Sequence, residues 1–439
     1  MRKKLLLLAL AFCMSASMVA CGNGENGNKG ESTTETVIEQ ETNNESENSK
    51  APDTKTEKED ESKEQSSTKE SQISNENLLV EDDYTSLQES QGFEFESNGD
   101  GTCTLKKIGS CSDKDIVIPE KSPEGDIVTI IGEYAFYGAE DIDSIVISGK
   151  TMELDKNAFQ SCEAKKIVII GSDLEVGNNA FSYCDDISEI YISNSEIDIK
   201  TYAFYGAGKD MGVTIVNCNG ILDDQAFQTS EVVDLTISGC TLEIGENAFS
   251  YCEDLATVYM DNSTLEIGTY AFYDAGDDTD ISFLNCSLEV DDKAFQCCGA
   301  VTLNISGSET VLGENTFSYC EDLTDVFIGA NNIEIGTYSF YDCSSLVNVS
   351  IASDSEDDAL NLIIKDKAFQ CSTVQDVVIG RGNVEIEENA FSYCKELMNV
   401  EIKGVLTDVG KYAFYDCPDE LIINYDGSSY NKDNIMNAK

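Results

Sequence analysis

A phenylalanine preceded by Ala or a similarly small residue recurs thirteen times: Phe136, Phe159, Phe181, Phe204, Phe227, Phe249, Phe272, Phe295, Phe317, Phe340, Phe369, Phe391 and Phe414. The spacing is near-constant, with one longer step between Phe340 and Phe369. A unit this short cannot bury its apolar face alone, so successive units must stack into a solenoid. Each repeat then contacts only its neighbours. Function belongs on a long repetitive surface rather than in the pocket of a globular core.

A second period lies above the first. Phe136, Phe204, Phe272 and Phe340 sit in YAFY or YSFY, Phe159, Phe227, Phe295 and Phe369 in AFQ, and Phe181, Phe249, Phe317 and Phe391 in FSYC. The triplet returns at a constant interval until an insertion delays its last copy. Duplication of a three-repeat block is the simplest account.

Composition removes whole classes of chemistry. The chain has no His, so it has neither a Ser-His or Cys-His relay nor a His metal ligand. GxSxG, P-loop and Ser-x-x-Lys constellations are also missing from the repeats, and no enzyme is expected. A formal net charge of -55 repels nucleic acid and anionic headgroups. Partners should be cationic, neutral or bridged by metal ions, unless the acidity serves solubility alone.

In chain order, residues 1–20 read as an export signal: Arg2, Lys3 and Lys4, the run LLLLALAF, then small residues leading to Cys21. Val19-Ala20-Cys21-Gly22 resembles the lipobox of bacterial lipoproteins, which implies that Cys21 is lipidated, becomes the mature N-terminus and anchors the chain to the cell membrane. Residues 21–77 continue from it with no aromatic residue and abundant Glu, Ser, Thr, Asn and Lys, the composition of a disordered acidic tether spanning about 40 Å. Residues 78–128 read as an N-terminal β cap, with FEFES and TCTLKKI joined by Asn98-Gly99-Asp100-Gly101 and DIVIP as a third strand. Residues 129–417 hold the thirteen repeats, and 418–439 a capping strand and frayed tail.

Each repeat offers two short parallel strands. In the first, aliphatic residues seven and five before the Phe flank an outward middle residue, as in Leu242-Glu243-Ile244. The second lies further along, after the Phe, as in Val258-Tyr259-Met260 after Phe249. Between them lies a tight turn, often opened by Gly (Gly177, Gly245, Gly268, Gly313, Gly336), that carries Ala-Phe into the core.

The pattern IGxxAFxxCxxLxxVxI, with examples IGENAFSYCEDLATVYM and LGENTFSYCEDLTDVFI, resembles the BspA-like class of bacterial leucine-rich repeats, and SNGDGTCTLKKIGSCSDKDIVIP resembles that family's cap segment. The resemblance covers the run of repeats from Phe136 to Phe414 and departs where Ala207, Ser230 and Ala275 replace the Cys and at the insertion SDSEDD. It implies a leucine-rich-repeat solenoid on the cell surface without catalytic activity.

Three residue columns stand out. Eight cysteines occupy the position three after the Phe. Rungs about 4.8 Å apart lie within disulfide Cα range, but in-register stacking points the side chains in parallel, and a reduced ladder of compact buried thiols is expected. Cys103 and Cys111 in the cap form a further possible pair. The middle residue of the first strand is acidic in nine of thirteen repeats. Its run Glu243, Glu266, Glu289 is either a solvated, screened face or an oxygen-only calcium site, the one cofactor in view. The matching outward column of the second strand runs from Val146 to Ile422 with a single charge, Glu401. Its central part, Tyr191, Thr214, Thr236, Tyr259, Ser282, Asn304 and Phe327, is the expected ligand surface, with aromatic anchors Tyr191, Tyr259 and Phe327 recurring once per block over the first three blocks. The partner would be an extracellular protein or glycan, although Val, Thr, Tyr and Phe also favour strands for their own sake. The alternative function is a calcium-stabilised spacer of the envelope without a specific receptor. Tyr137, Tyr205, Tyr273, Tyr341 and Tyr415 form another series, expected to pack in the turns.

Overall fold

Alternation of aliphatic and polar residues makes each strand bury one face, and the repeat length returns the chain to the same face one rung later. A computed structural model of the protein describes Tyr84, residues 87–353 and residues 360–438. Cys21, the segment expected as a tether and most of the SDSEDD insertion lie outside them. The described chain is a β-solenoid of two parallel strand ladders joined by tight turns. First strands pair only with first strands, as Thr241–Ile244 with Thr264–Ile267, and second strands only with second strands, as Val232–Ser238 with Thr257–Asp261. Three long strands, Thr279–Val290, Ala300–Leu312 and Asp325–Ile335, run through both ladders without a break.

The core is a column of rings. From Phe136 to Phe414 the thirteen phenylalanines stack with neighbouring centroids 4.6–5.5 Å apart and ring planes within 2–15° of parallel. The spacing is that of the strand ladder, so the backbone sets it. Each Phe N–H donates to the carbonyl of the residue before the next Phe, as Phe249 N to Ala271 O at 2.7 Å. A small residue there lets adjacent turns approach closely enough for that bond. Phe93 closes the stack edge-on at 6.0 Å from Phe136.

In the turns, the opening glycine and left-handed backbone occupy different positions. Left-handed backbone falls on the residues two before and two after the Phe, such as Asn247 (φ 58°) and Tyr251 (φ 59°). The turn-opening glycines are not left-handed; a Cβ on Gly336 would stand 2.3 Å from the Gly313 carbonyl oxygen, so it is the approach of the rung below that favours glycine.

Both ends are capped. Glu94–Ser97 and Thr102–Lys107 form the antiparallel hairpin, while Asp115–Val117 pairs in parallel with Ser144–Ser148 as the first rung of the second-strand ladder. At the far end Ile422–Tyr425 and Ser428–Tyr430 form a hairpin, followed by a 3-10 turn that buries Ile435. The expected capping strand is thus one arm of a hairpin, and the described residues after it fold back onto the core. All fifteen described cysteines are thiols, Cys103 and Cys111 included. Cys252 Sγ donates to Phe227 O at 3.3 Å and Cys320 Sγ to Phe295 O at 3.2 Å, so the ladder thiols satisfy carbonyls of the preceding rung.

Candidate functional site

The outward column of the second strands is in continuous register. Tyr191 stands beside Thr214, Thr214 beside Thr236, and Thr236 beside Tyr259. Ser282, Asn304 and Phe327 follow in the same row. The row then runs through Ser350, Val378 and Glu401 to Asn424, not to Ile422, which lies beside Asn399.

Exposure divides this row. Phe327 is 42% exposed and is flanked by half-buried Asn304 and Ser350. Tyr191 and Tyr259, expected as exposed anchors, are only 3% and 6% exposed. Tyr191 belongs to an outer apolar cluster with Val117, Val146, Val168 and Ile170, and Tyr84 packs against it. The alternation of a strand tells which side of the sheet a residue faces, not what lies over that side.

Beside this row runs a second one that the sequence did not single out. Asp280 accepts from Thr302 Oγ1 at 2.6 Å, Asp325 from Asn348 Nδ2 at 2.7 Å, and Asp376 from Asn399 Nδ2 at 2.6 Å. These three carboxylates next to the neutral stripe are therefore engaged by neutral donors one rung on, whereas Glu189, in the same column, pairs with Lys166 of the rung before. The clue lay in the spacing, because these residues precede the stripe residues by two.

The first-strand column also forms. Glu243, Glu266 and Glu289 stand side by side and, with Asp224, Glu246 and Asp291, line an open depression of about 240 Å³. Burial, followed by Asp292 and Glu266, raises the carboxyl of Asp291 above its usual range. Asp224 already has a structural task, accepting Glu246 N at 2.9 Å. Among the described residues no three Cys, Asp or Glu side chains converge as a metal site would require. The column is broken by Ile221, Val311 and Ile363, and Lys365 lies 3.4 Å from Glu334.

At the corner between the two ladders, Lys150, Ser172, Asn194, Glu196, Asn217 and Asn219 help line a polar groove of about 480 Å³. Asn194 and Asn217 are left-handed, with φ of 48° and 52°, a conformation asparagine tolerates. Next to them Ser172, Ser195, Cys218 and Cys240 pass hydrogen bonds from rung to rung, as Ser172 N to Ser195 Oγ at 3.1 Å.

On the turn ridge the tyrosines are less enclosed than expected. Tyr137 and Tyr415 are exposed, and Tyr205, Tyr273 and Tyr341 half-buried. Each meets another tyrosine edge-on, Tyr202–Tyr205 at 5.3 Å and Tyr183–Tyr205 at 5.7 Å for example.

The model of the BspA type leucine rich repeat region matches residues 109–234, 242–357 and 362–434, in six copies. A solved leucine-rich repeat protein from Bacteroides ovatus ATCC 8483 is 22% identical, with 75% of this chain and 91% of that one covered and a TM-score of 0.42. A leucine rich cell surface protein from Faecalibacterium prausnitzii A2-165 is 19% identical, with 78% and 96% covered and a TM-score of 0.30. The pneumococcal vaccine antigen PcpA is 14% identical, with 78% and 94% covered and a TM-score of 0.27. No curated protein matches.

Proposed function

This chain belongs to the BspA-type leucine-rich repeat family, and from that premise we propose that it is a surface-displayed recognition protein, tethered through lipidated Cys21, that binds a protein or glycan along its second-strand face. The observation that carries this reading is the neutral row itself. In a chain of net charge -55, an uncharged row holds register from Tyr191 to Val378 and presents an aromatic side chain at Phe327. Aromatic side chains, Phe included, are enriched at protein interfaces relative to the rest of the surface.

The open part of the row, Ser282, Asn304, Phe327 and Ser350, is the contact surface in this reading, and Thr214 and Thr236 extend it. Tyr191 and Tyr259 serve packing instead. Binding by a panel of extracellular proteins and glycans tests it: Phe327→Ser should abolish capture of whatever the parent chain retains, with an unchanged melting curve. Retention undiminished by that change, or by Asn304→Lys beside it, would defeat the reading.

The depression holding Glu243, Glu266 and Glu289 favours a second reading, a spacer stiffened by calcium on paired carboxylates. Removing calcium with a chelator should then lower the melting temperature by several degrees, and Glu266→Gln should remove that response. A melting curve indifferent to calcium ends the spacer reading and leaves recognition untouched.

A further inference from the structure

The three-repeat block lets one part of the molecule serve as a comparison for another. In the third block Lys293 Nζ lies 5.2 Å from the Tyr270 ring centroid and 3.0 Å from its hydroxyl. Tyr270 holds that ammonium above its usual pKa, and Glu314 and Asp292 add to the effect. In the fourth block Lys367 Nζ lies 4.9 Å from the ring of Tyr338. One block earlier than the third, Tyr202, Asp224 and Glu246 occupy the places of Tyr270, Asp292 and Glu314, and the lysine's place is taken by neutral Gln225.

The backbones correspond bond for bond. Gln225 N donates to Glu246 O at 2.9 Å, as Lys293 N does to Glu314 O at 2.9 Å. Glu246 N donates to Asp224 Oδ1 at 2.9 Å, as Glu314 N does to Asp292 Oδ1 at 2.7 Å. Tyr202 is also part of an edge-to-face triad with Tyr205 and the 51% exposed Tyr183. The nearest lysine in sequence, Lys200, is turned to Asp198.

We propose that Tyr202, with Tyr183, Tyr205, Asp224 and Glu246, is a docking site for a lysine side chain of a partner polypeptide. An ammonium in this place donates to the phenolic oxygen at the rim of the ring, as Lys293 does to Tyr270, with the ring's quadrupole adding to the attraction, and the two carboxylates supply the counter-charge. The occupant is a lysine because the same frame already accommodates one at Tyr270 and Tyr338. This site lies on the turns and does not depend on the second-strand row.

Full chain carrying 13Cε-labelled tyrosine, titrated at constant ionic strength with acetyl-Gly-Lys-Gly-amide, tests the proposal. The Tyr202 resonance should shift with the lysine peptide, and its Nε-acetylated form should bind about two- to fivefold more weakly. Gln225→Lys places the chain's own ammonium at the rim of the ring and should abolish the shift, whereas Thr264→Lys, which adds the same charge elsewhere, should not. Lys293→Gln should make Tyr270 respond as Tyr202 does. Equal response to both peptides overturns the proposal, as does indifference to Gln225→Lys. A response to tetramethylammonium alone would also overturn it, assigning the cage to a quaternary amine.

Discussion

At the scale of single residues, burial of thiols has a consequence for alkaline stability. Burial pushes the thiols of Cys162, Cys252 and Cys417 up to about 12, while a cysteine in the unfolded chain ionises near 8.5. Between those values the folded state binds more protons than the unfolded one, so stability falls as pH rises. The contribution is fully present below about pH 8.5 and is lost progressively toward pH 12. The melting temperature should therefore decline above pH 9, and Cys252→Ala should make that decline shallower. Alanine already occupies this column as Ala207 and Ala275, both buried. A decline as steep in the variant would show that other groups cause it. Residues also mark the limit of what could be read beforehand. The inward Phe and aliphatic positions follow from periodicity alone, because a solenoid has one interior. Left-handed Tyr202 and Asn247 do not, since Tyr and Asn in a polar turn are compatible with several backbones. Tyr191 is buried in an outer cluster against which Tyr84 packs from several repeats' length earlier in the chain, and no local pattern encodes that packing.

At the scale of the turn and its neighbour, the three-repeat period has a physical meaning beyond duplication. Three kinds of rung make three kinds of contact. The AFQ rung donates from Gln Nε2 to the Ser Oγ of the FSYC rung at all four junctions: Gln160–Ser182, Gln228–Ser250, Gln296–Ser318 and Gln370–Ser392, at 2.8–3.0 Å. The FSYC rung meets the YAFY or YSFY rung through edge-on tyrosines, 5.4–5.7 Å apart. That rung reaches the following AFQ rung through Tyr134, Tyr270 or Tyr338, paired with Asn157, Lys293 and Lys367. The triplet was visible in the sequence as spelling; its hydrogen bonds were not, because they require knowing that positions one repeat apart stand side by side. Ser318 is buried and Gln296 half-buried, and the bond between them should contribute about 1 kcal/mol. A double-mutant cycle with Gln296→Ala and Ser318→Ala should return a coupling energy of about 0.5–1.5 kcal/mol in urea denaturation. A coupling near zero would reduce the period to a record of duplication.

At the scale of the molecule, a solenoid has two ends where the ladder stops, and an unpaired strand edge invites another chain. The C-terminal end is closed by more than its last strand. Ser428–Tyr430 covers the edge of Ile422–Tyr425, Ile435 folds into the core, and Lys432 Nζ ties the segment back by donating to Cys417 O at 2.6 Å and Asp419 Oδ1 at 2.7 Å. The turn between the two strands, Asp426-Gly427, has φ of 47° and 69°, the two left-handed residues a tight hairpin needs. That dipeptide was a legible hairpin signal within a segment whose polar composition suggested fraying. Repeats remote from the end do not contact this cap, so in a nearest-neighbour scheme its removal should leave them folded. Ending the chain after Tyr425 would bare the edge of Ile422–Tyr425 and the core around Phe414, an aggregation template of the kind caps prevent. The truncated chain should keep the β-sheet circular dichroism of the parent yet sediment as larger species at the same concentration. Asn424→Lys in the truncated chain, by placing a charge on that edge strand, should reverse part of the association. Identical sedimentation of the parent and truncated chains would mean that the preceding rung closes the solenoid unaided and that the hairpin has another purpose.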